Sequence, residues 1–233
     1  MSLHADIAER LSEIRDRIGS AAARAGRRPE DVRLVAVSKT YPIECVRAAA
    51  EAGQIDFGEN RVQEALQKIA LAPDLAVRWH LIGHLQSNKV RKAAGSFASI
   101  QSVDRLDVVD DLDRAAVQAG ASPTVLIQVD LAGEATKHGA PVEHVRAIAE
   151  AALRCRALGL AGLMLLPPFF DDPQRTRPYF VRLRELRDRL VADGLPADRL
   201  RELSMGMSHD FEVAIEEGAT IVRVGTAIFG ARL

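Results

Sequence analysis

The sequence predicts an α/β protein, a (β/α)8 barrel of the TIM type preceded by one extra N-terminal helix. Short apolar runs alternate with amphipathic stretches along the chain, and strict alternation is typical of a parallel sheet with right-handed helical crossovers. Eight such runs can be counted, which favours a closed barrel over an open doubly wound sheet. The chain has 233 residues and no Pro/Ser-rich linker, so residues 1–233 are predicted to form a single domain.

The extra helix is predicted because Ile7, Leu11, Ile14 and Ile18 recur at spacings of three and four and so share one face. Gly26 follows this stretch and is a typical helix terminator. The predicted strands are Leu34–Ser38, Asp56–Gly58, Trp79–Gly83, Ser99–Ser102, Thr124–Asp130, Leu160–Leu165, Glu202–Met205 and Thr220–Val224. The predicted helices lie between these strands, and several end on glycine, as "PIECVRAAAEAG" does.

Composition excludes several classes of function. The formal net charge is -1, which gives no electrostatic reason to expect a nucleic acid or an anionic membrane as partner. The charged N-terminus does not resemble a signal peptide, and no apolar run approaches the roughly 18 residues of a membrane span. Cys45 and Cys155 show neither a CxxC nor a metal-binding spacing and fit a reducing compartment, so we expect a cytoplasmic protein.

Lys39 is the first candidate for chemistry, because it follows the first predicted strand. In a (β/α)8 barrel the residues after each strand line the mouth where ligands bind. An amine flanked there by apolar strand residues loses water, which lowers its pKa and lets the neutral form attack an aldehyde to give an imine. A lysine that reaches solvent or pairs with Glu59 is the alternative, and Lys39 alone does not decide between them.

Two glycine-containing turns follow the last two predicted strands. "RVGTA" carries Gly225 and Thr226, and "SMGMS" carries Gly206 and Ser208. Either turn could simply reverse the chain, but phosphate sites recur after strands 7 and 8 of this fold. A lysine facing a phosphate site indicates a phosphorylated aldehyde, of which pyridoxal 5'-phosphate (PLP) is the common one. Arg223 would then be the candidate partner of the ring nitrogen, leaving that nitrogen unprotonated.

The motifs "VAVSKT", "DFGENRVQE", "WHLIGHLQSNK", "GLM" and "LSMGMSHDFEVAIEEGATIVRVGTAIFG" resemble, in this order, those of the pyridoxal phosphate homeostasis proteins. The resemblance covers roughly residues 10–232. It implies a barrel related to the N-terminal barrel of alanine racemase, with PLP held as an imine. The cofactor-binding residues implied by the resemblance are Lys39, Asn60, Met164, Ser208, Arg223, Gly225 and Thr226.

The sequence departs from the family's wording at three places. Arg61 stands where the family usually carries an aromatic residue, and His209 replaces a common acidic residue. The loop 165–172, "LLPPFFDD", also differs but keeps its turn-forming residues. None of these positions touches the lysine or the two glycine turns.

The resemblance implies PLP buffering and delivery, with PLP-dependent apoenzymes as recipients and without catalysis; we expect a monomer. A PLP-dependent racemase is the alternative, and it needs a second acid/base group opposite the lysine. In alanine racemase that group is a tyrosine of a further domain, whereas the sequence ends at Leu233 and offers Tyr41 and Tyr179. A phosphosugar aldolase would use mouth carboxylates, for which Glu59 and Asp130 are the candidates.

No metal site is predicted from His80 and His84, because "WHLIG" is typical of a strand, and residues four apart in extended backbone are about 13 Å distant. Lys89, Arg91 and Lys92 follow the third strand in "LQSNKVRK". They indicate either an ordinary helix start or a second site for an anion or a partner.

Overall fold

The computed structural model describes residues 3–133 and 138–230, and it confirms the predicted barrel. Eight strands pair in chain order and close when β8 pairs with β1 in parallel. The strands are β1 (Arg33–Val37), β2 (Asp56–Glu59), β3 (Arg78–Leu81), β4 (Ser99–Val103), β5 (Thr124–Val129), β6 (Gly159–Leu165), β7 (Glu202–Met207) and β8 (Ile221–Val224). Each strand overlaps its predicted range, and the largest differences are of two residues: β3 ends at Leu81 instead of Gly83, and β7 continues to Met207 instead of ending at Met205.

Helices follow the strands in the expected alternation. They are α1 (Leu3–Arg24), α2 (Ile43–Glu51), α3 (Val62–Leu71), α4 (Val90–Ala94), α5 (Leu106–Ala119), α6 (Val142–Arg154), α7 (Arg177–Ala192), α8 (Phe211–Glu216) and α9 (Thr226–Phe229). Short 3-10 turns occupy Pro29–Asp31, Ser87–Lys89, Pro173–Thr176 and Ala197–Arg199. None of the helices in the described residues is long and apolar enough to cross a membrane.

The extra helix α1 covers the place where the barrel closes. Its predicted apolar face is buried, including Ile7 and Leu11, which are fully buried. It packs against α2, near the start of the barrel, and against α8 and α9, near its end. Arg24 pairs with Glu216 of α8, while Arg27, just beyond α1, donates to the carbonyl of Ile215. The helix therefore spans the seam between β8 and β1.

The apolar core lies mainly between the strands and the surrounding helices, as in other barrels of this type. A second, smaller cluster fills part of the barrel interior and consists of Val35, Leu126, Met164 and Ile221. Polar side chains also lie inside the barrel, where alternate strand residues point inward; they include His80, Gln101, Ser204 and Arg223. This polar interior leads directly to the mouth.

Candidate functional site

A cavity of about 450 Å³ opens at the carboxyl ends of the strands. Its lining comes from the ends of β1, β2, β3, β5, β7 and β8, together with the loop after β6. The walls are largely apolar, and a few polar groups converge on them, which is the usual composition of a small-molecule site. Six of the seven residues expected at the cofactor line this cavity: Lys39, Asn60, Ser208, Arg223, Gly225 and Thr226.

Met164 is the exception and requires a correction. It is fully buried inside the barrel, where it packs with Val35, Leu126 and Ile221, and it is not part of the cavity lining in the described residues. The reason is its position within β6: the strand continues to Leu165, and the residue that reaches the cavity is Leu166.

Lys39 stands just beyond β1, between a buried serine and a strained threonine. Ser38 is fully buried, and its hydroxyl donates to Oε1 of Glu59 at 2.7 Å. The same Glu59 oxygen accepts a hydrogen bond from Nζ of Lys68 at 2.6 Å. The backbone of Thr40 has a φ of 68°, a left-handed conformation that non-glycine residues seldom adopt. Lys68 was not identified from the sequence, because α3 presents it as one polar residue of an amphipathic helix.

The two glycine turns meet each other at one side of the cavity. The amide of Gly225 donates to the hydroxyl of Ser208 at 3.1 Å, which joins the turn after β8 to the turn after β7. Gly206 has a φ of 90°, and a Cβ there would lie 2.6 Å from that of Ala214, so only glycine fits. Asp210 closes the β7 turn by accepting the amide of Met207 at 2.7 Å.

Arg223 supplies a fixed cation at the cavity. Its guanidinium is almost fully buried and donates through Nη2 to the carbonyl of Leu165 at 2.8 Å and through Nη1 to the hydroxyl of Ser204 at 2.5 Å. Burial lowers the pKa of Arg223 to about 10, against the opposing influence of Asp210. Arg223 is therefore still charged near neutral pH.

A chain of hydrogen bonds continues from Arg223 through the barrel interior. The hydroxyl of Ser204 donates to Oε1 of Gln101 at 2.7 Å, and Nε2 of Gln101 lies 3.1 Å from Nδ1 of His80. Nε2 of His80 lies 2.7 Å from Oδ1 of Asp56. Since the amide nitrogen of Gln101 can only donate, Nδ1 of His80 accepts and Nε2 carries the hydrogen. Both ring nitrogens of His80 are thus used inside the protein.

Asp56 ends this chain near the opposite end of the barrel. Arg78 donates to both of its carboxylate oxygens, at 2.8 Å and 2.6 Å. Burial acts to raise the pKa of Asp56, but the hydrogen bonds from His80 and Arg78 outweigh it and lower that pKa. The interior therefore carries an ionised carboxylate that is held by a neutral imidazole and a guanidinium.

His84 lies at the rim of the cavity, where its ring stacks on that of His138 with centroids 3.7 Å apart. Its Nδ1 lies 3.7 Å from Oδ2 of Asp104. Burial, followed by the neighbouring His138, lowers the pKa of His84. One ligand atom from each of the three side chains lies within 4.8 Å of the others, so they could hold a divalent cation if the stacked rings splayed. Neither Asp104 nor His138 was identified from the sequence.

The side chains considered as acid/base groups are not part of the described cavity lining; they are Tyr41, Tyr179, Glu59 and Asp130. Neither of the chain's two tyrosines, both of which the structure describes, lines the cavity. The hydroxyl of Tyr41 donates to the carbonyl of Gly230 at 2.6 Å, and Tyr179 lies on the outer helix α7. Glu59 accepts from Lys68, and Oδ1 of Asp130 accepts the amides of Ala132 and Gly133 at 2.9 Å and 2.8 Å.

The departures from the family's wording have different surroundings. Arg61 is exposed at the start of α3, outside the described lining. His209 does line the cavity, and its Nε2 lies 2.9 Å from the carbonyl oxygen of Asp171 in the loop after β6. Phe169 of the same loop packs against the His209 ring, with centroids 5.5 Å apart. Lys89 lies outside the described lining, on the turn that precedes the five-residue helix α4.

Sequence comparison gives a consistent picture. A family model described as "Alanine racemase, N-terminal domain" matches residues 10–233. The pyridoxal phosphate homeostasis protein of Pseudomonas aeruginosa is 48% identical over 97% of this chain and 96% of its own length. That of Aquifex aeolicus is 46% identical over 96% of this chain and 97% of its own length.

Among solved structures, the chain is similar to PipY from Synechococcus elongatus, at 41% identity over 96% of this chain and 100% of PipY. The TM-score is 0.86 for PipY without PLP and 0.85 for PipY with PLP bound. An alanine racemase from Clostridium difficile gives a TM-score of 0.74 at 15% identity, a likeness that concerns the fold alone, and this chain spans 57% of it.

Proposed function

Because this chain belongs to the family of pyridoxal phosphate homeostasis proteins, we propose that it binds PLP as an imine on Lys39 and buffers or delivers the cofactor inside the cell without catalysing a reaction of its own. The observation that carries the proposal is the convergence of an amine, a buried guanidinium and two linked glycine turns on one cavity. PipY, which is solved with PLP bound, is similar to this chain over almost its full length.

The cavity fits such a cofactor in size and in chemistry. Its volume of about 450 Å³ lies within the range of small-molecule sites. Gly225 packs so close to β1 that a Cβ would lie 3.1 Å from the carbonyl oxygen of Val37, and its amide meets the hydroxyl of Ser208 at the cavity. When bound, PLP supplies an aldehyde that a lysine amine converts reversibly into an imine.

Each lining residue then has a distinct task. Lys39 provides the amine, and Ser208, Gly225 and Thr226 hold the phosphate through hydroxyl and amide groups. Arg223 directs a permanent positive charge at the ring nitrogen and cannot accept a proton from it. A ring nitrogen beside such a cation stays unprotonated, which weakens the cofactor as an electron sink.

The position of the tyrosines supports a non-catalytic role. Tyr41 is engaged with Gly230, and Tyr179 lies on α7, so neither offers a second acid/base group to the cavity. A racemase would need such a group on the face opposite Lys39. The proposal further includes PLP-dependent apoenzymes as recipients, a monomeric state and a cytoplasmic location.

The test is to mix the purified protein with PLP, record the imine absorbance and reduce the sample with borohydride. We expect a yellow protein in which mass spectrometry finds the reduced cofactor on Lys39. Lys39→Ala should lose the absorbance and the adduct while keeping its thermal unfolding temperature, and Lys89→Ala serves as the matched control. Trapping spread over surface lysines, with none on Lys39, would contradict the proposal.

The absence of catalysis has its own test. The PLP-loaded protein is incubated with a panel of L-amino acids, and the products are separated by chiral chromatography. We expect no D-enantiomer above the level given by free PLP. Turnover that disappears in Lys39→Ala would identify a racemase and overturn the non-catalytic part of the proposal, leaving PLP binding intact.

A further inference from the structure

Helix α3 holds the backbone on both sides of Lys39. On one side, Nζ of Lys68 donates to the carbonyl oxygen of Ser38 at 2.7 Å. On the other side, Oε1 of Glu64 accepts the amide of Thr40 at 2.5 Å. Lys68 and Glu64 are four residues apart on α3, and Nζ of Lys68 lies 3.1 Å from Oε1 of Glu64. One turn of this helix therefore contacts the residue before Lys39 and the residue after it.

The contacts of Lys68 with Glu59 and with the Ser38 carbonyl are buried, whereas the contact of Glu64 with the Thr40 amide is exposed. Glu59 is fully buried and the Lys68 side chain is 7% exposed, so each charge depends on the other for compensation. Burial raises the pKa of the Glu59 carboxyl, and the hydrogen bonds from Lys68 and Ser38 act against that rise. A buried ammonium with three oxygen partners has one favourable position. That position fixes the Ser38 carbonyl.

The backbone held in this way is strained. Within residues 3–133 and 138–230, Thr40 is the one non-glycine residue with a positive φ. A β-branched residue is rarely found in this region and persists there only where its surroundings determine the conformation. Glu64 supplies such a determinant, since it accepts the Thr40 amide directly. Strain beside the candidate amine is typical of a residue that must point in one direction.

We propose that Glu64 and Lys68, supported by Glu59, are positioning residues that direct the Lys39 amine into the cavity. The proposal rests on the assignment of Lys39 as the PLP-binding lysine. Imine formation makes a C=N bond while the aldehyde oxygen leaves as water with both protons of the neutral amine. The nitrogen must therefore approach the carbonyl carbon closely, and misplacement of about 1 Å can cost on the order of 10²-fold in rate.

The test compares variants of α3 in two measurements. Glu64→Ala removes the acceptor for the Thr40 amide, Glu64→Gln keeps an amide oxygen there, and Gln67→Ala, exposed on the same helix, is the control. Hydrogen exchange of the Thr40 amide in PLP-free protein reports the backbone, and stopped-flow absorbance with added PLP reports imine formation. Glu64→Ala should exchange faster at Thr40 and form the imine about tenfold more slowly. Glu64→Gln should restore most of both.

Lys68→Met extends the test, and we expect it to form the imine more slowly still than Glu64→Ala. Its unfolding temperature should also fall, because Glu59 loses its partner. Should that variant fail to fold, the Glu64 variants decide the question. If the wild-type protein forms the imine on Lys39 and Glu64→Ala changes neither the rate of imine formation nor the exchange rate of the Thr40 amide, the positioning role alone is overturned. A wild-type protein that traps no PLP on Lys39 overturns the proposed function, and the role of Glu64 and Lys68 with it.

Discussion

Ser204→Ala is a sharp test of the hydrogen-bond chain in the barrel interior. Ser204 is fully buried and links the cavity to that chain, because its hydroxyl accepts from Arg223 at 2.5 Å and donates to Gln101 at 2.7 Å. Removing the oxygen leaves a buried guanidinium hydrogen and a buried amide oxygen without these partners. The substitution changes little in volume, so its effect reports hydrogen bonding and not packing.

The cost follows from the groups left behind. A buried neutral donor or acceptor that loses its partner costs about 1–3 kcal/mol, and a charged one that loses all its partners costs more. Since Arg223 keeps its bond to the carbonyl of Leu165, we expect a total of about 3 kcal/mol. For a chain of this length, that loss corresponds to a fall of roughly 6–12 °C in the unfolding temperature.

The assay is urea and thermal unfolding of PLP-free protein, followed by circular dichroism. Ser122→Ala, at an exposed serine, is the matched control and should change the unfolding free energy by less than about 0.5 kcal/mol. In PLP-loaded protein, Ser204→Ala should also shift the imine absorbance, because Nη1 of Arg223 loses its partner and only Nη2 keeps one, the carbonyl of Leu165. A stability change for Ser204→Ala as small as that of the control would refute the reasoning.

Three further predictions concern the cavity. Gly83→Ala would put a Cβ 2.3 Å from the carbonyl oxygen of Asn60, so it should displace that residue, cost about 1–3 kcal/mol and weaken PLP binding in equilibrium titrations. Arg223→Glu should change the ring's protonation and hence the imine spectrum; an unaltered spectrum would count against the contact. His84 should titrate below 6.5 by NMR, and lower still in Asp104→Asn, since Asp104 acts to raise its pKa. Because the folded pKa is the lower one, stability should fall as pH drops below about 6.5, and His84→Gln should lessen that fall.

Much of the fold could be predicted from the sequence, because strand and helix periodicities differ and alternate regularly here. Within a (β/α)8 barrel, the order of strands also fixes which strand ends share the mouth. This geometric rule predicts from the sequence that Lys39, Arg223 and Gly225 share one site, and all three line the cavity. The rule works because it depends on strand order, which tolerates errors of one or two residues at each strand end.

Strand order does not determine the depth or the contacts of an individual side chain. Met164 was expected in the pocket, but a strand residue that points inward can lie either at the mouth or one layer below it, and Met164 lies below. The Lys68 contacts join α3 to the end of β1, and pairings between elements leave no periodic signal in either segment. Stacking of His84 on His138 depends on a loop conformation, which turn-forming residues alone do not determine.

The position of α1 couples distant parts of the molecule. β1 and β8 pair Arg33 with Ile221, so the ring closes through contacts between residues far apart in sequence, and contacts of this kind are associated with slow folding. α1 packs on α2, which follows β1, and on α9, which follows β8. α9 begins at Thr226, in the turn that is proposed to hold the phosphate. Because α1 packs on α9, we expect docking of α1 to help order the turn that is proposed to hold the phosphate. A ligand that tightens this turn should also slow release of the N-terminal helix from the outside of the barrel.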